Sequence, residues 1–256
     1  MRCSSAAARY FSLVVCGDAR SRASYDDVLG VGVRVNAVIC DPPYLLLERR
    51  RLRGDLRDPR LGRKIDDEVV VRFRDEAHYV AFSREWLSQT TPRIQEGGTM
   101  CIWTNNLGRA PLLSVCGEFG WTLYDQLAWA KDSSAKDRAA ASTAEQRLRV
   151  YESALILRKR NNSAVPDSAA APVLRLRGLA AVTSYADTTG HVHEKPRSAI
   201  EPLVLLYTRP GDTVLDPFAG SGSILATAAA LGREPRGIEI REEWALDADA
   251  RLVSSL

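Results

Sequence analysis

Apolar residues in this chain gather in short runs, separated by stretches in which they recur every three or four positions. The runs predict strands near 12–16, 36–40, 99–104, 121–129, 151–158, 213–216 and 236–240. Two of them, Ala37-Val38-Ile39-Cys40 and Thr213-Val214-Leu215, are continuously apolar, as a strand covered on both faces should be. Helical spacing falls at 76–90, 107–117, 197–208, 222–232 and 242–253. Seven strands interleaved with helices predict an α/β fold, a mostly parallel sheet with helices on both faces. Two stretches break the rhythm. Residues 132–146 are small and polar and predict a loop. Residues 161–192 carry Pro166, Pro172 and a basic–apolar alternation at Val173-Leu174-Arg175-Leu176-Arg177. Insertions of this kind between sheet elements are where open α/β enzymes carry specificity.

At 256 residues the chain is long enough for one sizeable core, and no repeat or long linker divides it. A single domain over 1–256 is expected, with 45–75 and 161–192 as its irregular segments. No run approaches the ~20 apolar residues that a membrane span needs, so a soluble chain is expected. The first ten residues hold Arg2 and Arg9 among Ser and Ala, with no acid before Asp18. That composition is similar to an organelle-targeting segment, but a strand pattern from Ser12 leaves little to cleave. Five cysteines (Cys3, Cys16, Cys40, Cys101, Cys116) have no metal-ligand spacing, and Cys16, Cys40 and Cys101 lie inside apolar runs. They read as small buried hydrophobes in a reducing compartment, with neither zinc nor a disulfide frame.

Net charge is only +3, too little by itself to argue for nucleic acid. Its distribution changes the picture. Between Glu48 and Lys64 eight Lys or Arg residues, among them Arg49, Arg50, Arg51 and Arg53, face three acids, a local excess of +5. A concentrated basic segment of this kind is a candidate phosphate-contacting surface; a solvated loop is the other reading.

Candidate chemistry sits at the ends of two predicted strands. After Thr213-Val214-Leu215 come Asp216-Pro217-Phe218-Ala219-Gly220-Ser221-Gly222 and a helical stretch. Glycines let a ligand approach the backbone, and a helix start offers unpaired N–H groups. Glu239 closes the following strand, where an acid can accept hydrogen bonds from ribose hydroxyls. No Gly-Lys-Ser/Thr sequence accompanies the turn, which disfavours a nucleoside triphosphate loop. The other segment, Asp41-Pro42-Pro43-Tyr44, follows Ala37–Cys40. An aryl amine such as adenine N6 is a poor nucleophile because its lone pair is delocalised into the ring. Two acceptors gripping its hydrogens draw the nitrogen toward tetrahedral geometry. Asp41 offers a carboxylate and Pro42 a backbone carbonyl, while consecutive prolines fix φ and remove donors. Tyr44 offers a face on which an extruded base could stack. An ordinary strand-ending turn is the competing reading.

Together these residues resemble the amino-group DNA methyltransferases that use S-adenosylmethionine. Asp41–Tyr44 is similar to their catalytic motif and Asp216–Gly222 to their cofactor motif. Matching segments lie between: Gly17-Asp18 with Val28-Leu29, Glu96–Thr99, Leu127–Lys131, Tyr151–Leu155, His193–Pro196 and Pro210–Asp212. With the catalytic motif first, the order resembles the beta, circularly permuted, group of this Rossmann-like fold. Related Asn-Pro-Pro-Tyr enzymes that act on protein or RNA run the other way. The resemblance implies that Asp41 and the Pro42 carbonyl hold the target amine, that Pro43 stiffens the motif, and that Tyr44 stacks on the base. It implies cofactor contacts from Asp216, Phe218, Ala219, Gly220, Ser221 and Gly222, with Glu239 on the ribose and Ile240 against the adenine. Asp18 would accept from the adenine's amino group, and Lys195 would lie near the methionine carboxylate. His193 is assigned to the scaffold. Arg49, Arg50, Arg51, Arg53, Arg175 and Arg177 are the candidate DNA contacts.

The leading expectation is adenine-N6 methylation of DNA in the cytoplasm of a bacterium, or in a eukaryotic nucleus or mitochondrion. Cytosine-N4 methylation is the alternative, because both amines suit the same acceptors; Asp at the first motif position leans toward adenine. A non-catalytic cofactor-binding partner in a larger complex is a third reading, motivated by the short 161–192 insertion and opposed by the intact Asp41 and Tyr44. A homodimer could share DNA recognition, and no metal is expected.

Overall fold

Strands with apolar residues at every position need cover on both sides, and the fold supplies it. The computed structural model describes residues 12–47, 71–131, 151–159, 181–183 and 194–253. All seven expected strands form: β1 (Val14–Cys16), β2 (Val35–Cys40), β3 (Ile94–Thr104), β4 (Trp121–Lys131), β5 (Tyr151–Lys159), β7 (Thr213–Asp216) and β8 (Glu234–Glu239). A three-residue strand, β6 (Ala181–Thr183), joins the edge at β4. The sheet order is β1-β8-β7-β2-β3-β5-β4-β6. β5 runs antiparallel to β3 and β4, and the other pairings are parallel.

The helices are α1 (Arg22–Leu29), α2 (Glu76–Thr90), α3 (Asn106–Glu118), α4 (Arg197–Tyr207), α5 (Ser223–Ala230) and α6 (Glu242–Val253). Strand periodicity divides the core in two. Val38 and Cys40 of β2, Met100 and Ile102 of β3, and Leu155 and Leu157 of β5 pack with residues of α1–α3. Their neighbours Ile39, Cys101, Trp103, Ala154 and Ile156 pack with residues of α4 and α5. Ala245, Ala248 and Leu252 of α6 close a smaller cluster with Val14, Ala219 and Leu225. α2 begins where Asp75 accepts a hydrogen bond from the His78 N–H at 2.7 Å, satisfying one of the free donors of the first turn.

Three features depart from expectation. α1 was not anticipated: at eight residues it spans barely two turns, too few for its buried Tyr25 and Val28 to mark a period. It stops at Gly30, whose φ of 92° ends the helical path. β3 begins at Ile94 rather than 99, because the pairing with β2 shifts register between Val35 and Ala37 and carries the strand through Gly97-Gly98. Cys16, expected inside, is exposed, since it ends the edge strand of the sheet; Cys40, Cys101 and Cys116 are buried. Cys3 and residues 132–146 lie outside the described residues. Among the described residues, no helix is long and apolar enough to cross a membrane.

Trp86 of α2 is fully enclosed and meets the Phe218 ring edge-on at 5.3 Å, so it supports both the core and the Asp216–Gly222 turn. Trp86→Ala should lower unfolding stability by about 3–5 kcal/mol, the usual cost of emptying an aromatic core site. Urea titration followed by circular dichroism checks it.

Candidate active site

Sheet topology decides where the two motifs meet. β7 and β2 are parallel neighbours, with Ala37 opposite Val214 and Val38 opposite Leu215. From β7 the chain passes through α5 to β8 on one side; from β2 it passes to β3 on the other. Where the connections diverge, a crevice opens beyond the carboxyl ends of the strands. Asp216 closes β7 and Asp41 follows β2 directly, so both motifs line this crevice.

The Asp216–Gly222 turn is built from backbone requirements. Gly220 and Gly222 have φ of 51° and 75°, the left-handed region that a side chain disfavours. At Gly222 a Cβ would also lie 3.1 Å from that of Ala248 in α6. The Phe218 N–H donates to Asp216 Oδ1 at 2.9 Å. The Gly220 N–H donates to Glu239 Oε2 at 2.9 Å, and the Arg241 N–H to Glu239 Oε1 at 3.0 Å. Ser221 offers its carbonyl to Arg251 Nη1 at 3.1 Å, and Ala219 is buried. Phe218 is partly buried against Trp86 and Phe82. Ile240, 63% exposed, leaves an apolar side chain in the open beside Glu239. Asp18 forms an ion pair with Arg20 at 2.7 Å, and that hydrogen-bonded guanidinium holds its carboxyl below the usual range.

Asp216 is enclosed, with Oδ2 lacking a hydrogen-bond partner. Burial pushes its carboxyl well above the ordinary 3.8; the Asp41 and Glu239 carboxylates add to this, while the Phe218 N–H and Lys195 oppose it.

The Asp41–Tyr44 segment is fixed by its neighbours. Asn105, which caps α3 by accepting from the Gly108 N–H at 2.8 Å, donates its amide to the Leu45 carbonyl at 3.1 Å. The Phe73 N–H donates to the Leu46 carbonyl at 2.8 Å, and Leu47 bridges to Phe73. The described residues that flank the basic segment therefore sit together beside Asp41–Tyr44. Pro42 is buried, Pro43 partly so, and Tyr44 packs against the α4–α5 side of the core.

Lys195, only 6% exposed, reaches this segment from the residues before α4. Its ammonium donates to Asp41 Oδ2, to the Tyr44 hydroxyl at 3.0 Å, and pairs with Glu152 Oε2 at 3.0 Å. The Tyr44 hydroxyl in turn donates to Glu152 Oε2 at 2.9 Å. Rings of Tyr44, Trp103 and Trp129 lie 5.2, 5.3 and 5.9 Å from the ammonium. Burial alone would lower the Lys195 pKa, but the Asp41 and Glu152 charges outweigh it and the net shift is upward. Tyr44 is driven well above the usual phenol value, by burial first and then by the same two carboxylates. The other Asp41 oxygen, Oδ1, is enclosed and has no hydrogen-bond partner.

Sequence reasoning missed Glu152, Trp103, Trp129 and Asn105 as parts of this site. Glu152 carried two signals, an acid near the start of an otherwise apolar run and its place in the matching segment Tyr151–Leu155, but no site role; that role depends on β5 being antiparallel, which brings the start of the strand to the carboxyl edge of the others. Arg49, Arg50, Arg51, Arg53, Arg175, Arg177 and His193 lie outside the described residues.

A doubly wound sheet with an acceptor cluster and a glycine turn at its switch point describes a class of nucleoside-handling domains. Comparison with known proteins gives the family. A family model described as DNA methylase (N6_N4_Mtase) matches residues 35–249, and the chain belongs to this N6/N4 DNA methylase family. A protein named as a methylase, YubD of Escherichia coli K12, is 29% identical over 227 residues, covering 87% of this chain and 84% of its own. The solved M1.HpyAVI–SAM complex superposes with a TM-score of 0.65 at 21% identity, covering 94% of this chain and 98% of its own. The cytosine-N4-specific PvuII DNA methyltransferase gives 0.60 at 12% identity, covering 93% and 85%. At such identities the two structures speak to the fold alone.

The raised Asp216 carboxyl has a consequence for stability. A folded-state value above the unfolded one gives a contribution present in full below about pH 3.8 and lost as pH rises through the folded value. Asp216→Asn, neutral at every pH, should flatten this decline and raise the thermal midpoint relative to the parent near neutrality. Thermal melts from pH 4 to 8 on both proteins check it.

Proposed function

We propose that the chain transfers a methyl group from S-adenosylmethionine to the exocyclic N6 amine of adenine in DNA. The observation that carries this reading is Asp41 Oδ1, a buried carboxylate oxygen without a partner at the carboxyl edge of the sheet. A buried acceptor left unsatisfied costs free energy, and a donor supplied by substrate would remove that cost.

The residues around the Asp216–Gly222 turn fit the cofactor. Gly220 has open space on its Cβ side, with the Phe218 carbonyl as nearest neighbour at 3.9 Å. Glu239 would accept from the ribose hydroxyls and the exposed Ile240 would meet an adenine face, with Phe218, Ala219, Ser221 and Gly222 lining the space between. Asp18 would accept from the adenine's amino group. When bound, S-adenosylmethionine supplies an electrophilic methyl group on sulfur.

Asp41 Oδ1 and the Pro42 carbonyl would grip the two hydrogens of the target amine, while Tyr44 stacks on the extruded base. Held so, the amine nitrogen would present its lone pair to the methyl that the cofactor supplies, with the bonding pair returning to sulfur and the surplus amine proton passing to water. Orientation and fixed acceptors would supply most of the rate, with no covalent enzyme intermediate. The basic segment after Leu47, with Arg49, Arg50, Arg51 and Arg53, would hold DNA phosphates close to Tyr44; Arg175 and Arg177 would add contacts.

Chain order supports the circularly permuted group. The catalytic strand β2 precedes the cofactor strand β7, and β7 and β8 lie between β2 and β1 in the sheet. Adenine is favoured by the aspartate opening the motif. Cytosine N4 is the second reading, since its amine offers the same two hydrogens and the PvuII enzyme shares the fold.

Incubation with methyl-labelled cofactor and mixed-sequence DNA, then digestion to nucleosides and mass spectrometry, should yield N6-methyladenine. N4-methylcytosine would overturn the adenine assignment, and cofactor binding without transfer to any DNA would favour a non-catalytic partner. Asp41→Asn should reduce kcat by about 100-fold or more, the scale of losing one preorganised electrostatic contact, while cofactor still binds.

A further inference from the structure

A buried ammonium has three hydrogens, and Lys195 has an acceptor for each: Asp41 Oδ2, the Tyr44 hydroxyl and Glu152 Oε2. Three aromatic rings enclose it. Nothing in that arrangement is left over for the carboxylate of a cofactor, the role the resemblance implies for this lysine. The acceptors instead belong to the Asp41–Tyr44 tetrapeptide and to the start of β5, to which the sequence assigned no site residue.

We propose that Lys195 and Glu152 are positioning residues of the methyl-transfer site, holding the Asp41 carboxylate turned so that one oxygen faces the target amine. This rests on the methyl-transfer reading above. Lys195 occupies Oδ2, which leaves Oδ1 as the single acceptor Asp41 offers. Glu152, 9% exposed, keeps the ammonium charged and in place and accepts a hydrogen bond from the Tyr44 hydroxyl, which holds the stacking ring where it is. The charged and titratable groups facing Asp41 come from four elements. They are Lys195 before α4, Glu152 at the start of β5, Asp216 at the end of β7, and Tyr44 and Cys40 on its own segment. Lys195 is the only cation in this set among the described residues. Without it, the carboxylates of Asp41 and Glu152 would face one another uncompensated, and a proton drawn in between them would weaken the acceptor left for the amine.

The test is a cycle of Lys195→Met, Glu152→Gln and the double variant, read on kcat against pH at saturating DNA and S-adenosylmethionine. Lys195→Met should lose about 100-fold in kcat near pH 7, and its acid limb should move up by about one pH unit or more. The loss should shrink toward pH 9. The double variant, with one carboxylate fewer, should regain about tenfold over Lys195→Met near pH 7. Glu152→Gln alone should lower kcat with KM for DNA little changed, and Glu152→Asp should recover part of it. S-adenosylmethionine Kd by calorimetry should shift by less than about threefold in Lys195→Met, under 1 kcal/mol of binding free energy.

A uniform loss with an unshifted pH profile would reduce both residues to scaffolding and overturn the proposal. So would a large rise in cofactor Kd with kcat intact at saturation, which would return Lys195 to the cofactor. If the parent protein methylates no DNA, the methyl-transfer reading fails separately. The same cycle is then read on unfolding midpoints: Lys195→Met alone should gain stability as pH falls, and the absence of that slope overturns the charge-holding role.

Discussion

Parallel pairing of β2 with β7 is the constraint on which the molecule depends. Those strands are buried on both faces, so their register is fixed by side chains from both helical layers. A one-residue slip of β2 would send Ile39 into the α1–α3 layer and Val38 into the α4–α5 layer. The same register puts the residue after Cys40 beside the turn that begins at Asp216. Core packing and the geometry of the crevice are therefore one requirement, met by the same hydrogen-bonded ladder.

Charge at the crevice obeys a second constraint. Asp41, Glu152, Asp216 and Glu239 crowd the carboxyl edge of the sheet, and each ionised carboxylate there carries a desolvation cost. The structure handles them differently. Glu239 accepts two backbone N–H groups, Asp41 and Glu152 share Lys195, and Asp216 is driven toward its neutral form. Tyr44 adds a hydroxyl that both accepts and donates within the same cluster. A chemical role for an aryl amine would use Asp41 Oδ1, which, like Asp216 Oδ2, has no partner among the described residues.

Much of this was legible along the chain. Continuous apolar runs marked β2 and β7, and helical periodicity marked α2 and α6 at their observed limits, because fifteen and twelve residues span several turns. The glycine turn and the proline-stiffened tetrapeptide were visible because their backbones demand particular residue types. The short α1 was not visible, nor was the extension of β3 through Gly97-Gly98, which depends on pairing with β2. Cys16 misled: an apolar run does not say whether its last residue lies under a helix or at an open edge.

By itself the sequence determined the local chemistry: where strands end, where the backbone must turn left-handed, which carboxylate is followed by prolines and an aromatic ring, and membership of a family whose motifs it carries. Tertiary structure decided what those groups face. Lys195 reads as a residue before a helix, and Glu152 as an acid opening a strand; only the antiparallel run of β5 and the seating of α4 bring both onto Asp41 and Tyr44. Hydrogen bonds and charge pairing act over a few ångströms, and separation along a chain does not encode such distances until the sheet has chosen its neighbours.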